Sequence, residues 1–223
     1  MNSERTGKKY QQVISSVEKY INSFLAEEFV ISDERKIQIK EISHYIKNKI
    51  KFNLPINLIF ICTHNSSRSQ FAQIWAQTVR EYYKIPNINC FSAGTEVTSF
   101  NLRSLMALKN AGFEIEKTAS IENPVYNINY AYNKIPIKGF SKIISDKENP
   151  QSNFIAIMTC SDADEACPIV SGADKRFSLT YEDPKISDNT PEADIVYNKR
   201  CKQIAIEIFY LFSNIKKITN HNL

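Results

Sequence analysis

CTHNSSRSQ, residues 62–70, stands directly after the apolar run LIFI at 58–61 and directly before a stretch with helical spacing. From Pro55 onward, Ile56 to Cys62 is short and nearly continuously apolar, the pattern of a strand buried on both faces in a parallel sheet. A helix is expected over about 67–83. The quoted stretch is therefore a strand-to-helix junction, and it carries Cys62 and Arg68 in the spacing C-x5-R with Ser69 next. Unpaired N–H groups at a helix N-terminus make an anion site, and the same field favours thiolate over thiol.

A tetrahedral oxyanion suits such a loop. Arg68 would hold two of its oxygens in a bidentate fork, backbone amides of Thr63, His64, Asn65, Ser66 and Ser67 would hold others, and Cys62 would wait below as nucleophile. Ser69 is placed to donate a hydrogen bond to the thiolate and lower its pKa, while Asn65 suits the left-handed conformation a tight loop needs. A cysteine ending a buried strand is more often a small hydrophobe, and C-x5-R alone is common. Strand before, helix after and NSSRS between them are what lift the reading above that background.

Working outward, strand and helix alternate. A strand is expected near Asn89 to Ser92, a helix over about Leu102 to Ala111 and a strand at Phe154 to Met158. The last helix opens at Thr190-Pro191-Glu192, with Pro at its first position, and runs through Ile204, Ile208, Leu211 and Phe212 to about Lys216. This order implies an α/β fold, an open parallel sheet with helices on both faces. Residues 55–223 form the catalytic domain in this reading, and the polar, Pro-punctuated stretch at about 124–153 is an inserted loop or lid. Residues 1–54 read as a helical extension: Val13, Ile14, Val17, Ile21, Phe24 and Leu25 recur at helical spacing, and after Ser32 as N-cap a second helix presents Ile42, Tyr45, Ile46 and Ile50. Such a helical hairpin either covers part of the main domain or docks a partner.

Composition narrows the classes. The 223 residues, 43% hydrophobic and 23% charged, suffice for one sizeable core. A net charge of +4 with scattered basic residues gives no nucleic-acid footprint. No apolar run approaches the roughly 18 residues of a membrane span, and MNSERTGKKY lacks the apolar core of an export signal, so a cytoplasmic location is expected. Five cysteines without such a signal argue against a disulfide framework and for individually employed thiols.

Four motifs resemble one superfamily. CTHNSSRSQFAQ at 62–73 resembles the phosphate-binding loop of the low-molecular-weight protein tyrosine phosphatases, and more closely that of the arsenate reductases on the same fold, whose loop reads much like CTGNSCRSQ. FSAGTEV at 91–97 is similar to the SAGT strand end of both. TCSDADEACP at 159–168 resembles the redox segment of the thioredoxin-coupled arsenate reductases, and Tyr181-Glu182-Asp183-Pro184 the Asp-Pro of the general-acid loop. On one continuous helix Cys160 and Cys167 would stand about 10 Å apart at a rise of 1.5 Å per residue, beyond the roughly 7 Å a disulfide tolerates. The segment would have to unwind to pair them, for which a looping stretch with Asp162, Asp164 and Pro168 is suited. A zinc site is disfavoured, because no second Cys or His pair stands at ligand spacing; no cofactor is expected.

The resemblance implies reduction of arsenate to arsenite by a relay of Cys62, Cys160 and Cys167, with Asp183 donating a proton and a thioredoxin-like reductant restoring the thiols. A phosphatase would instead hydrolyse phosphate esters in the same pocket and need no thiol beyond Cys62, with Tyr181 beside the acid as a stacking residue. A third reading is an interaction module whose loop only senses phosphate. The chain departs from the pattern at His64, where the family usually has Gly, at Ser67, where the reductases usually have a second loop cysteine, and at Ser178-Leu179, which replace the usual His-Trp. Cys90 and Cys201 match no functional position and read as core.

Overall fold

The structure, a computed structural model, describes residues 12–25, 31–118 and 122–219, the last three as backbone alone. The opening MNSERTGKKY lies outside the described residues. In chain order the elements are α1 (Ser15–Leu25), α2 (Asp33–Lys51), β1 (Ile56–Cys62), α3 (Arg68–Tyr83), β2 (Ile88–Gly94), α4 (Leu102–Asn110), β3 (Glu114–Lys117), β4 (Tyr126–Asn129), β5 (Ile137–Gly139), β6 (Phe154–Met158), α5 (Ser161–Ala166), β7 (Ala173–Ser178), a 3-10 turn at Pro184–Ser187, and α6 (Ala193–Thr219).

The apolar strands β1 and β6 lie at the centre of a four-stranded sheet of order β2-β1-β6-β7, every pair parallel. The register runs Ile56↔Ile88 to Cys62↔Gly94 on one side of β1 and Leu58↔Ile155 to Ile61↔Met158 on the other. Because strand side chains alternate, β1 feeds two cores: Leu58 and Phe60 join the larger cluster, Ile59 and Ile61 the smaller. The larger side carries buried residues of α1, α2, α3, α4 and α6; the smaller carries Ala163 of α5, with Val170 and Cys160. Helices thus cover both faces of an open parallel sheet, very unequally.

The 124–153 stretch, read as an inserted loop or lid, contains two short strands. Tyr126 and Ile128 are buried and alternate with half-buried Asn127 and Asn129, a period-2 pattern that makes β4, and β3, β4 and β5 form an antiparallel sheet. β7 was also unforeseen, since its sequence ADKRFS is that of a polar edge strand rather than an apolar run.

The first two helices pack on the sheet domain rather than standing apart from it. Ser32 caps α2 by accepting from the Arg35 amide at 3.3 Å. Ile39, Ile42 and Ile46 of α2 are fully buried, and the Ser43 hydroxyl donates to the Leu211 carbonyl of α6 at 3.1 Å. Phe24 of α1 sets its ring 5.3 Å from Phe209 and 6.2 Å from Trp75, on which Tyr20 stacks at 5.9 Å. No helix among the described residues is long and apolar enough to cross a membrane.

If α1 shares this core, Phe24→Ala is expected to destabilise the whole chain by about 3–5 kcal/mol. Trp75 is the one tryptophan of the sequence and touches Phe24, so its emission in urea titrations reads the change directly. A wild-type midpoint in that variant would show that α1 contributes nothing to the core.

Candidate active site

The C-terminal ends of β1 and β6 and the loop after β7 converge at one edge of the sheet, where open parallel sheets place their ligand crevices. Cys62 ends β1 almost wholly buried. Its Sγ lies 3.0 Å from the Ser69 hydroxyl and accepts from the Asn65 amide at 3.2 Å. Burial pushes the thiol above the ordinary cysteine value; Ser69 and, more weakly, Arg68 pull the other way. The lowering expected from the loop is present, but in this pocket desolvation outweighs it.

Asn65 takes the left-handed conformation, at φ 47°, and is fully buried. Its Nδ2 donates to Ser69 Oγ at 2.8 Å, and its Oδ1 accepts from Gln70 Nε2 at 3.1 Å and from the Lys142 amide at 3.0 Å. Gln70 Nε2 reaches on to the Phe140 carbonyl at 2.7 Å, and Ser141 Oγ donates to the His64 carbonyl at 2.8 Å. Residues 140–142 therefore brace the loop from behind. Gly94 closes the same contact: a Cβ there would sit 2.7 Å from the Thr63 carbonyl oxygen and 2.9 Å from the Asn65 nitrogen, both backbone atoms. The role of Gly94 was hinted at only by SAGT, that of Gln70 only by its place at the end of CTHNSSRSQ, and that of Ser141 by nothing local.

Arg68 opens α3, buried, but its fork faces the acid loop. Nη2 donates to Asp183 Oδ2 at 2.6 Å and Nη1 to the Tyr181 carbonyl at 3.1 Å. Asp183 Oδ1 accepts from the Lys185 amide at 3.0 Å, capping the 3-10 turn. Both carboxylate oxygens are engaged as acceptors. Tyr181 is buried, with the Arg35 guanidinium 4.7 Å from its ring centroid, so it packs away from the pocket and is no stacking platform.

Cys160, two residues past the end of β6, is fully buried beside the loop: Thr63 Oγ1 is 3.5 Å from its Sγ, and a charge on Cys160 would raise the Cys62 pKa further. Cys160 is the N-cap and Cys167 the C-cap of α5, so the stretch read as looping is one short helix with a sulfur at each end. Cys167 is half-buried, at the far end from Cys62. Cys90 and Cys201 are core residues, and burial pushes each to about 12.

At the departures from the family pattern, Ser67 accepts from Ser104 Oγ of α4 at 2.8 Å and anchors the loop sideways. The half-buried His64 ring sits 3.7 Å from the Glu96 carboxylate. Ser66 accepts from the Asn101 amide at 3.0 Å. Leu179 is buried, and the Ser178 hydroxyl bonds Asp164 of α5. Among the described residues no cluster of His, Cys, Asp and Glu could hold a metal ion.

The chain is 30% identical over 129 residues to arsenate reductase 1 of Staphylococcus saprophyticus, covering 57% of this chain and 77% of that protein. The chain belongs to the arsenate reductase family. It is 27% identical over 146 residues to an arsenate reductase of Bacillus licheniformis, covering 65% and 86% of the two chains. A low-molecular-weight protein tyrosine phosphatase from Bacillus subtilis superposes with a TM-score of 0.49 at 16% identity, covering 73% of this chain and 99% of its own. No protein-family model matches the chain.

Two variants probe the loop. Ser69→Ala removes a group that lowers the Cys62 pKa, so the pH profile of Cys62 alkylation by iodoacetamide is expected to move to higher pH; an unmoved profile would show that Ser69 does not act on the thiol. Gly94→Ala forces Thr63 and Asn65 apart, and a displacement of this kind is expected to lower turnover about 100-fold with little loss of fold by circular dichroism.

Proposed function

We propose that the chain reduces arsenate to arsenite through successive use of Cys62, Cys160 and Cys167. The observation that carries this reading is the placement of Cys160, its sulfur buried against Thr63 of the Cys62 loop, at one end of a helix whose other end is Cys167. A hydrolase has no use for that pair.

Arsenate would enter the Thr63–Ser69 loop, whose amides and Arg68 take its charge. Arg68 then exchanges Asp183 for the anion, and the freed carboxylate takes up the proton that Cys62 gives up, which makes Asp183 the proton donor. The Cys62 thiolate attacks arsenic, and an arsenic-bound oxygen leaves as water with the proton supplied by Asp183. The Cys160 thiolate attacks the Cys62 sulfur. The sulfur–arsenic bond breaks with its electron pair going to arsenic, which departs as arsenite, and a Cys62–Cys160 disulfide remains. Attack of Cys167 on the Cys160 sulfur releases Cys62 as thiolate and leaves a Cys160–Cys167 disulfide. A dithiol donor of the thioredoxin type would reduce it, returning two electrons per arsenate.

The raised Cys62 pKa bears on the first step. Anion binding that brings Arg68 and the loop amides onto the substrate leaves Ser69 and the Asn65 amide to hold the thiolate. The same pocket also supports a phosphatase, because Cys62, Arg68 and Asp183 are assembled without help from Cys160 or Cys167.

Arsenate-dependent NADPH oxidation, coupled through thioredoxin and thioredoxin reductase, separates the readings. Cys62→Ser, Cys160→Ser and Cys167→Ser are each expected to fall to background, whereas aryl phosphate hydrolysis on the same samples falls only in Cys62→Ser. Robust hydrolysis with no arsenate turnover in the wild type would make the chain a phosphatase.

A further inference from the structure

Helix α5 has little of its own to hold it. It is six residues long, well below the roughly 12–15 at which an isolated helix becomes even marginal in water, and Ala163 is its one buried residue. Its N-terminus is served locally: Cys160 Sγ accepts from the Ala163 amide at 3.4 Å, and Asp162 and Asp164 stand in the first turn, on the favourable side of the helix dipole.

Its far end is held from another element. Arg176 of β7 donates from Nε to the Cys167 carbonyl at 3.0 Å and from Nη2 to the Asp164 carbonyl at 2.5 Å, and it also ion-pairs with the Asp164 carboxylate. The same carboxylate accepts from Ser178 Oγ, at 2.7 and 2.6 Å to its two oxygens. One guanidinium thus ties a carbonyl within α5 to that of its C-cap, satisfying groups that a helix end leaves orphaned. Arg176 is fixed in turn by its strand, paired with Ala156 of β6. The Arg176 and Asp164 side chains are 25% and 24% exposed, so solvent weakens the pair less than on an open surface.

In the wound helix Cys160 and Cys167 are about 10 Å apart along the axis, too far for a disulfide, so α5 must come undone before the two sulfurs can join. Whatever keeps α5 wound therefore favours the dithiol. We propose that Arg176 is a positioning residue that holds α5 in its wound, dithiol form, and so sets how readily the Cys160–Cys167 disulfide forms and how readily a donor reduces it. The inference rests on the reading of Cys160 and Cys167 as the exchanging pair. Its consequence for the cycle is twofold: Cys160 stays beside the Cys62 loop until it is needed, and the final disulfide, formed against the pull of Arg176, is the more easily reduced.

The test uses the full chain carrying Cys62→Ser, so that Cys160 can pair only with Cys167 or with glutathione. In glutathione buffers the disulfide exchanges with two glutathione thiols to give the dithiol and glutathione disulfide, and trapping by alkylation gives the equilibrium constant. Adding Arg176→Ala is expected to favour the protein disulfide about tenfold, or ~30 mV towards more negative potential. Arg176→Lys keeps the charge but not the fork and is expected to fall between, which distinguishes a lost grip from a misfolded chain. In the reduced proteins, amide exchange at Ala163–Cys167 should quicken in Arg176→Ala. An equal or larger constant in Arg176→Ala, or unaltered exchange, would overturn the inference while leaving the relay standing. Failure of the Cys160–Cys167 disulfide to form at any glutathione ratio, with Arg176 intact or replaced, would overturn the relay and the inference together.

Discussion

The pocket depends on one backbone constraint: the chain leaving β1 must turn into α3 with its N–H groups aimed at the Cys62 sulfur, and Asn65 makes that turn in the left-handed region. For a residue with a Cβ that conformation costs roughly 1–2 kcal/mol. Here it is over-determined by the side chain, which bonds Ser69, Gln70 and the Lys142 amide at once. Asn65 therefore links three things that the sequence keeps apart: the nucleophile loop, the first turn of α3 and the segment after β5. Gly94 belongs to the same constraint from the other side, since β2 can come this close to the loop only without a side chain.

Electrostatics in the pocket are a competition rather than a simple enrichment of positive charge. Burial raises the Cys62 pKa, and the Ser69 and Arg68 contributions oppose it. Arg68 meanwhile commits both terminal nitrogens to the acid loop, on Asp183 and the Tyr181 carbonyl. An oxyanion must compete with Asp183 for the guanidinium, and in the proposed reaction that exchange couples substrate entry to release of the proton donor. The coupling needs no moving lid, because the 140–142 segment lies behind the loop as its support.

What was legible in the sequence was whatever rested on local pattern. The apolar runs at 56–62 and 154–158, the Ser32 cap and the helical spacing of α1, α2 and α6 are one-dimensional signals, and they gave the central strands and their covering helices. The candidate site was legible where C-x5-R fell on a strand-to-helix junction. What escaped were elements defined by neighbours. β7 is polar and becomes a strand only beside β6; α5 is too short for periodicity to show; β4 and β5 are short runs within Asn- and Lys-rich sequence. The direction of the Arg68 fork and the burial of Tyr181 likewise depend on the acid loop, some 113 residues further along the chain.

The unequal covering of the sheet explains where a reversible helix can be placed. On the larger face, Trp75, Phe24, Phe209 and the isoleucines of α2 interlock, and no single turn can leave without opening cavities throughout. On the smaller face α5 buries Ala163 alone, so unwinding it exposes little apolar surface and sacrifices chiefly a cap and the bonds to Arg176. Segments that must move are drawn from the low-stability end of a structure. Placed there, a helix held mainly by one guanidinium can yield to thiol exchange while β1, which ends at Cys62, and β6, which leads into Cys160, stay anchored in the parallel sheet, Leu58 against Ile155 and Ile61 against Met158.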